Sequence, residues 1–533
     1  MSNNISKVYL MNMPLDNDYK HTLYFNSKTE QEDYFRNLPS ISFTDFSYQR
    51  KDAVMRIPLQ YDEALKYNYV RYQNTAYSNK WFYAFITNYE YKGDDQTNIT
   101  IETDVMQTWL FDYYVKPSFI EREHVNDDTI GKHTIPENLE TGEYVNTFSE
   151  YIEELKDTSI VFSVTKKPVK QDDGTEDLEN TTGTFYNGLY SGVNYFVIGR
   201  EYSTKINAFI KKYDEGATEN IKSIFVAPKF LTEQLTQDKE EVYELESSAM
   251  PYFNEYTVLK SNGDTDYIPK NNKLNCYPYK YLLLSNNNGG GAIYQYEHFE
   301  GSEMRFYYEG TICPGCSVRI YPMNYKNGEY DRTGGTPNRE EGLSLGKYAI
   351  CNWTSDEYTN WLTQNGVNIA IGITSGVGQI VGGIATTVGT SGVGSAIGVG
   401  MIASGVGTIA GQMGQIYQHS FIPPQARGNI NSGDVVTGGQ TNTFYFYHMT
   451  IKEEYQKIID DYFSMFGYKT NCVKIPNKNH RQNYWFTKTV DVNISGNIPK
   501  EDLSKIKSCY NNGITFWKNK TNFKDYSIDN PII

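Results

Sequence analysis

Alternation of apolar and polar positions marks much of the first 130 residues as strands. Residues 79–92 carry Trp81, Tyr83 and Phe85 on one face, and residues 98–110 carry Ile99, Ile101, Thr103 and Val105 on one face. Gly93, Asp94, Asp95 and Gln96 supply turn chemistry between the two runs, which predicts a β-hairpin. Residues 54–59 read as a further strand, placed near a sheet edge by Pro58, which has no N–H to give a neighbour. From His133 the chain turns acidic, then strand-like at 159–165. Residues 167–183 are mostly polar and predict an exposed loop. Residues 195–199 predict a short apolar strand and 203–213 a helix. Between 251 and 350 many short Tyr-rich strands are separated by Asn/Gly turns, as at 286–291. Further on, 443–452 and 483–494 predict strands. The helical period is clearest over 453–466, where Tyr455, Ile458, Ile459, Tyr462, Phe463 and Phe466 recur and Gly467 is placed to stop the helix. A second helix over 500–511 would turn Leu503, Ile506 and Tyr510 inward, ahead of the apolar stretch 513–517. No repeat of fixed period is present.

The pattern predicts a mainly β fold with a few helices. It divides into a β-rich region over 1–132, a mixed α/β region over 133–250, a Tyr-rich β region over 251–357, an uncharged Gly-rich insert over 358–428 and an α+β segment over 429–533 that returns to the fold. The 47 Tyr and 26 Phe support strands over helices, since aromatic residues suit a pleated, half-buried surface.

The insert breaks every pattern around it. Between Tyr358 and Ala426 there is no Asp, Glu, Lys or Arg, whereas a typical soluble domain carries about 25% charged residues. Two apolar segments fit inside. The first holds Val367, Ile369, Ile371, Gly372, Ile373, Gly376, Gly378, Ile380, Val381, Gly382, Ile384 and Val388. The second holds Val393, Gly394, Ile397, Gly398, Val399, Met401, Ile402, Val406, Gly407, Ile409 and Gly411. Each segment, about twenty residues long, spans a hydrocarbon core of about 30 Å as a helix, and residues 389–392 can turn between them. Gly372 and Gly376, Gly378 and Gly382, Gly394 and Gly398, and Gly407 and Gly411 are spaced as helix backbones in lipid need for close approach. In water the same glycines disfavour a helix by about 0.8–1.0 kcal/mol each. These residues are therefore expected to contact membrane; a buried hairpin and a passive loop are the alternatives.

Candidate chemistry adds little. The net charge of −15 comes without a basic cluster for nucleic acid. The opening residues lack the apolar core of a secretory signal, and the insert lacks the Lys/Arg flanks of a constitutive membrane span. The expectation is a chain made in the cytoplasm that meets a membrane later. Six scattered cysteines make no disulfide framework, and Cys313-Pro-Gly-Cys316 is a lone CxxC, read as a turn ahead of a metal or redox site. No cofactor or metal set is present in the sequence, and no hydrolase, kinase or phosphate-loop motif. Glu121-Arg122-Glu123-His124 admits two readings: a general acid of a wall-degrading hydrolase, which needs a second carboxylate across the bond, or a strand whose Arg122 pairs with a neighbouring acid.

Several ordered segments resemble one family. NDYKHTLYF (17–25), NKWFYAF (79–85), DVMQTWLFD (104–112) and SFIEREHV (118–125), then the uncharged insert, IPPQ (422–425), FGYKTNCVKIPN (466–477) and NNGITFW (511–517), are similar to the distal tail knob proteins of phi29-like small podoviruses infecting Gram-positive bacteria. The matched ends cover about half of the chain, and 133–350 is only loosely similar. The resemblance implies a non-enzymatic virion protein at the tail tip, a homohexamer forming a β-rich tube, with 1–132 as an N-terminal tube domain. It implies partners as well: lower collar and tail tube proteins of the same virion, phage DNA passing through the lumen, host membrane lipid and a cell-wall hydrolase at the tip. Six apolar loops would plug the lumen, then form a pore in the host cytoplasmic membrane for genome ejection. A pore-forming toxin shares the apolar insert but is expected to carry an export signal; a tail-associated wall hydrolase remains the other alternative.

Overall fold

The computed structural model describes residues 6–46, 53–74, 79–186, 189–199, 202, 205–213, 220–232, 241–246, 252–286, 289–328, 339–348, 350–352 and 442–533. The fold is mainly β with a few helices. The chain divides into two units: 1–141, 269–274 and 453–533 form the first, 142–268 and 275–452 the second. The whole of the uncharged insert, with every residue named above as expected to contact membrane, lies outside the described residues.

In the first unit, a six-stranded sheet runs in the order Ser40–Phe46, Ser6–Met11, Tyr69–Asn74, Trp81–Gly93, Gln96–Thr103, Val54–Ile57. Trp81–Gly93 and Gln96–Thr103 form the expected hairpin, closing at the Gly93 and Gln96 pair, and Val54–Ile57 occupies the edge that Pro58 implies. The second strand ends earlier than alternation suggests. Val105–Trp109 is a short helix, because Asp104 caps it by accepting the Met106 and Gln107 N–H groups at 3.0 and 3.1 Å.

A five-stranded sheet in the same unit orders His21–Leu23, Ile514–Trp517, Tyr484–Val490, Ser118–Glu123 and Tyr468–Lys474. The expected strand over 483–494 is split: Asp491 takes a φ of +51°, and Ile494–Gly496 pairs separately with Tyr113–Val115. Val8, Val70, Ile99 and Met106 meet Trp485, Ile506 and Phe516 in one core of this unit.

The Glu453–Phe466 helix has the expected bounds, and its buried face mixes apolar and polar residues. Gln456, Ile459, Asp460 and Phe463 are buried, while Ile458 is 64% exposed. The inner face accepts polar residues because Asp460 accepts the Lys270 and Asn271 N–H groups at 2.7 and 3.1 Å, and the Asn271 side-chain amide at 2.7 Å. Gly467 ends the helix with a φ of +64°, and a Cβ there would lie 2.1 Å from the Glu123 carbonyl oxygen, so no other residue fits. In the Lys500–Asn512 helix Ile506 and Tyr510 point inward as expected, joined by Asp502, which accepts from Trp109 Nε1 at 2.9 Å.

The second unit holds three larger sheets among the described residues. One orders Tyr144–Tyr151, Tyr445–Ile451, Lys280–Ser285 and Gly291–Tyr294. Another orders Val242–Glu244, Asn194–Gly199, Thr158–Val164, Ile221–Pro228 and Ile350–Asn352. The third orders Tyr252–Leu259, Glu303–Gly310, Val318–Pro322 and Leu343–Ser344. One core draws side chains from all three, including Val161, Val197, Phe225, Leu282, Tyr294, Phe306, Ile320 and Phe446. The polar stretch 167–183 is largely exposed but is not a loop. Lys166–Lys170 and Glu176–Asn180 form a hairpin, hidden from sequence because neither face is apolar.

Candidate functional site at the neck of the uncharged insert

Before the insert the described residues end at Ile350–Asn352, and after it they resume at Asn442, ahead of Tyr445–Ile451; the flanks on both sides pack into the same core. On the outgoing side, Leu343–Ser344 pairs with Val318–Pro322. The Leu345 N–H then donates to the Val318 carbonyl at 2.8 Å, Ser317 Oγ to the Leu345 carbonyl at 2.7 Å, and the Tyr348 N–H to the Cys316 carbonyl at 2.9 Å. The last strand pairs Ile350 with Phe225 and Asn352 with Ser223. On the returning side, Thr443 Oγ1 donates to the Ile152 carbonyl at 2.7 Å, and the Ile152 N–H to the Phe444 carbonyl at 3.2 Å. Tyr445–Ile451 is then paired along both edges, by Tyr144–Tyr151 and Lys280–Ser285.

The two ends are also joined directly. Tyr348 Oη donates to the Asn442 carbonyl at 3.2 Å, and Asn442 Nδ2 to the Gly346 carbonyl at 3.2 Å. Tyr348 is buried beside Cys316, and desolvation pushes its phenol well above the usual tyrosine pKa, so it stays a neutral donor. Leu345, Tyr348, Phe444 and Phe446 pack in one core with Cys316 and Val318. This is a neck: a loop base fixed by backbone pairing, crossed by two hydrogen bonds and seated on apolar side chains.

The Cys313-Pro-Gly-Cys316 motif supports that neck. It is a turn, with the Cys316 N–H donating to the Cys313 carbonyl at 3.0 Å. Burial raises both thiol pKa values, so neither cysteine has the thiolate character of a redox or metal ligand. Sequence reading singled out the motif without its role, which is to aim the Cys316 carbonyl at Tyr348.

The Glu121–His124 run closes the Ser118–Glu123 strand of the first unit, with every charge engaged. Arg122 pairs with Glu137, Glu121 with Lys488 at 2.9 Å, and Glu123 with Lys474 at 2.5 Å and the Asn477 N–H at 2.9 Å. Glu123 is fully buried. His124 Nδ1 accepts from the Phe486 N–H at 2.7 Å, which leaves Nε2 to donate to the Ser464 carbonyl at 3.0 Å. Burial lowers its pKa to about 3, so it is a neutral core histidine. Of the two sequence readings, the ion-paired strand is the one that stands. Among the described residues no cluster of His, Cys, Asp and Glu is arranged to hold a metal, and no helix is long and apolar enough to cross a membrane.

Comparison with known proteins places this geometry. Residues 4–114 match the caudoviral major tail protein N-terminus. Residues 241–531 match the family described as Bacillus phage phi29, tail knob protein gp9, C-terminal domain. The chain is 27% identical to the tail knob protein gp9 of Bacillus phage B103, covering 98% of this chain and 97% of the relative. It is 26% identical to tail knob protein gp9 of Bacillus phage phi29, covering 98% of each. The fold is similar to the solved tail knob protein gp12 of bacteriophage C1, with a TM-score of 0.65 over 99% of this chain and 100% of that one at 14% identity. The relatives carry the name of a structural component and not of an enzyme. The family match over 241–531 takes in more than half of the chain, which therefore belongs to the phi29 gp9 tail knob family, structural proteins of the phage virion tail.

Proposed function

We propose that six copies of this chain form a tube at the tail tip through which the genome leaves. In this reading the uncharged insert of each copy plugs the lumen in the free virion and enters the host cytoplasmic membrane during ejection. The observation that carries the reading is the stretch from Tyr358 to Ala426 without a charged residue, set in a chain of net charge −15. The neck supports it, since a base fixed in the core lets the insert change surroundings without unravelling the body. Partners on this reading are the lower collar and tail tube proteins, the exiting DNA, membrane lipid and a wall hydrolase at the tip.

The DNA path favours an acidic body, because a basic lumen would hold phosphates through counterion release. Negative-stain imaging of purified protein tests the tube. Six-fold hollow rings are expected, and a monodisperse monomer overturns the conduit. Dye release from liposomes tests the insert: the full chain should release dye and a chain lacking residues 366–415 should not.

A further inference from the structure

A second feature, in the first unit, is unrelated to the insert. Lys474 ends the strand Tyr468–Lys474 at one edge of the five-stranded sheet, and Asn477 follows three residues later. Pro476 between them is buried, and its ring restricts the course of the turn. Glu123 stands against this turn. It is the last residue of the Ser118–Glu123 strand, paired with Tyr468 on one side and Thr487 on the other.

Three side chains meet there. Lys474 Nζ lies 2.5 Å from Glu123 Oε1 and donates to Asn477 Oδ1 at 3.2 Å. Asn477 Nδ2 donates to the same Glu123 Oε1 at 3.1 Å and to the His124 carbonyl at 3.2 Å. The Asn477 N–H donates to Glu123 Oε2 at 2.9 Å. The side-chain amide is therefore held in one orientation, its oxygen toward the amine and its nitrogen toward two acceptors. One carboxylate oxygen touches both a primary amine and the nitrogen of the amide beside it, within reach for proton transfer to either. Glu123 has no exposure, and burial favours neutral partners over ions. Lys474 reaches in from the surface with its side chain 37% exposed, which leaves a way out for a small leaving group.

We propose that Lys474 and Asn477 join in an intramolecular isopeptide bond, with Glu123 carrying the protons. Glu123 Oε1 takes one proton from the Lys474 ammonium and frees the Nζ lone pair. Nζ adds to Asn477 Cγ, an attack that costs little entropy because the turn already holds the two groups together. Glu123 passes its proton to Nδ2 and takes a second one from Nζ, and the Cγ–Nδ2 bond breaks. The products are a secondary amide, one ammonia and a neutral, buried Glu123 carboxyl. The balance closes without a co-reactant.

The experiment is mass spectrometry on the full chain, intact and after trypsin. The intact chain is expected to be lighter than its sequence by one ammonia. Trypsin does not cut after an acylated lysine, so residues 470–478 should emerge as one peptide with the same deficit. Lys474→Arg keeps the cation but lacks the amine, and should carry its full mass and be cut after position 474. Asn477→Ala should carry its full mass as well. A parent chain at full mass, with 470–474 and 475–478 recovered separately, overturns the proposal. A deficit that persists in Lys474→Arg would mark a cyclised asparagine and overturns it too. Glu123→Gln should leave the two side chains unjoined, and a Glu123→Gln chain that still forms the bond removes the carboxylate from the reaction. Lys474→Arg and Asn477→Ala decide the bond itself whether or not that third variant folds.

Discussion

His124 and Asp104 are both buried in the first unit, and burial moves their pKa values in opposite directions. Desolvation lowers His124 from 6.5 to about 3. It raises Asp104 from 3.8 to about 6, against the hydrogen bonds from Gln107, Tyr69 and Met106 that favour its ionised form. The histidine binds its proton more tightly when unfolded, so its contribution is present above about 6.5 and is lost as pH falls toward 3. The aspartate binds its proton more tightly when folded, so its contribution is present below about 3.8 and is lost as pH rises through 6. At 1.36 kcal/mol per unit the effect is on the order of 5 kcal/mol for His124 and about 3 kcal/mol for Asp104 across their windows. The two slopes oppose one another between pH 4 and 6. Thermal melts between pH 4 and 7.5 should therefore diverge. Asp104→Asn, which keeps the helix cap, should lose stability in acid more steeply than the parent, and His124→Gln less steeply. Curves parallel to the parent's for both variants would contradict this. Glu137 is a different case. It is buried between Arg122 and Lys273, the latter at 2.8 Å, and accepts the Lys469 N–H at 2.8 Å. Glu137→Gln removes the carboxylate that Arg122 and Lys273 share and should cost about 3–5 kcal/mol, read as a fall in the denaturant midpoint.

At the scale of elements, the neck decides what the insert can do to the rest of the chain. Tyr348 and Asn442 are 94 residues apart in sequence and hydrogen-bonded. Their contact keeps the loop closed whatever its length, and each doubling of loop length costs only about 0.6 kcal/mol. Replacing residues 366–415 by a short Gly/Ser linker should leave assembly and melting temperature near the parent's. A deletion chain that melts far lower or fails to assemble would make the insert part of the core. Sequence reading reached these elements unevenly, for physical reasons. Strands with one buried face, such as Gln96–Thr103, and the helices over 453–466 and 500–512 announce themselves by period. The Val105–Trp109 helix does not, because its apolar residues happen to continue the alternation of the strand before it, and only the cap at Asp104 marks the change. The buried face of the 453–466 helix holds polar residues that the apolar period does not mark, for a related reason: Asp460 is buried by partners at 270 and 271, nearly two hundred residues away. The neck joins residues from distant parts of the chain, and no local pattern encodes it. The composition of the insert, by contrast, is legible in full from the sequence.

For the whole molecule, the proposed tube would hold six inserts, and their release depends on what replaces their contacts. Clustered copies shelter apolar surface from water, at about 25 cal/mol per Å². Release into water would forfeit that burial, whereas lipid replaces it. The plugged state is therefore expected to be stable in buffer and to open only where lipid is offered. An aspartate near the middle of each apolar segment acts against the second state alone. Placed at a helix centre in lipid it costs about 2.5–3.5 kcal/mol, and two per chain across six copies multiply that penalty twelvefold. The Ile380→Asp, Ile397→Asp double variant should therefore assemble and stay soluble like the parent, yet release little dye from liposomes. A second double variant, Ile380→Ala, Ile397→Ala, removes apolar surface without adding charge and should keep most of the release. Parental dye release from the Asp variant would remove the membrane step and leave the insert as a plug. Loss of release from both variants would point to packing among the inserts, and so equally against a charge-limited insertion.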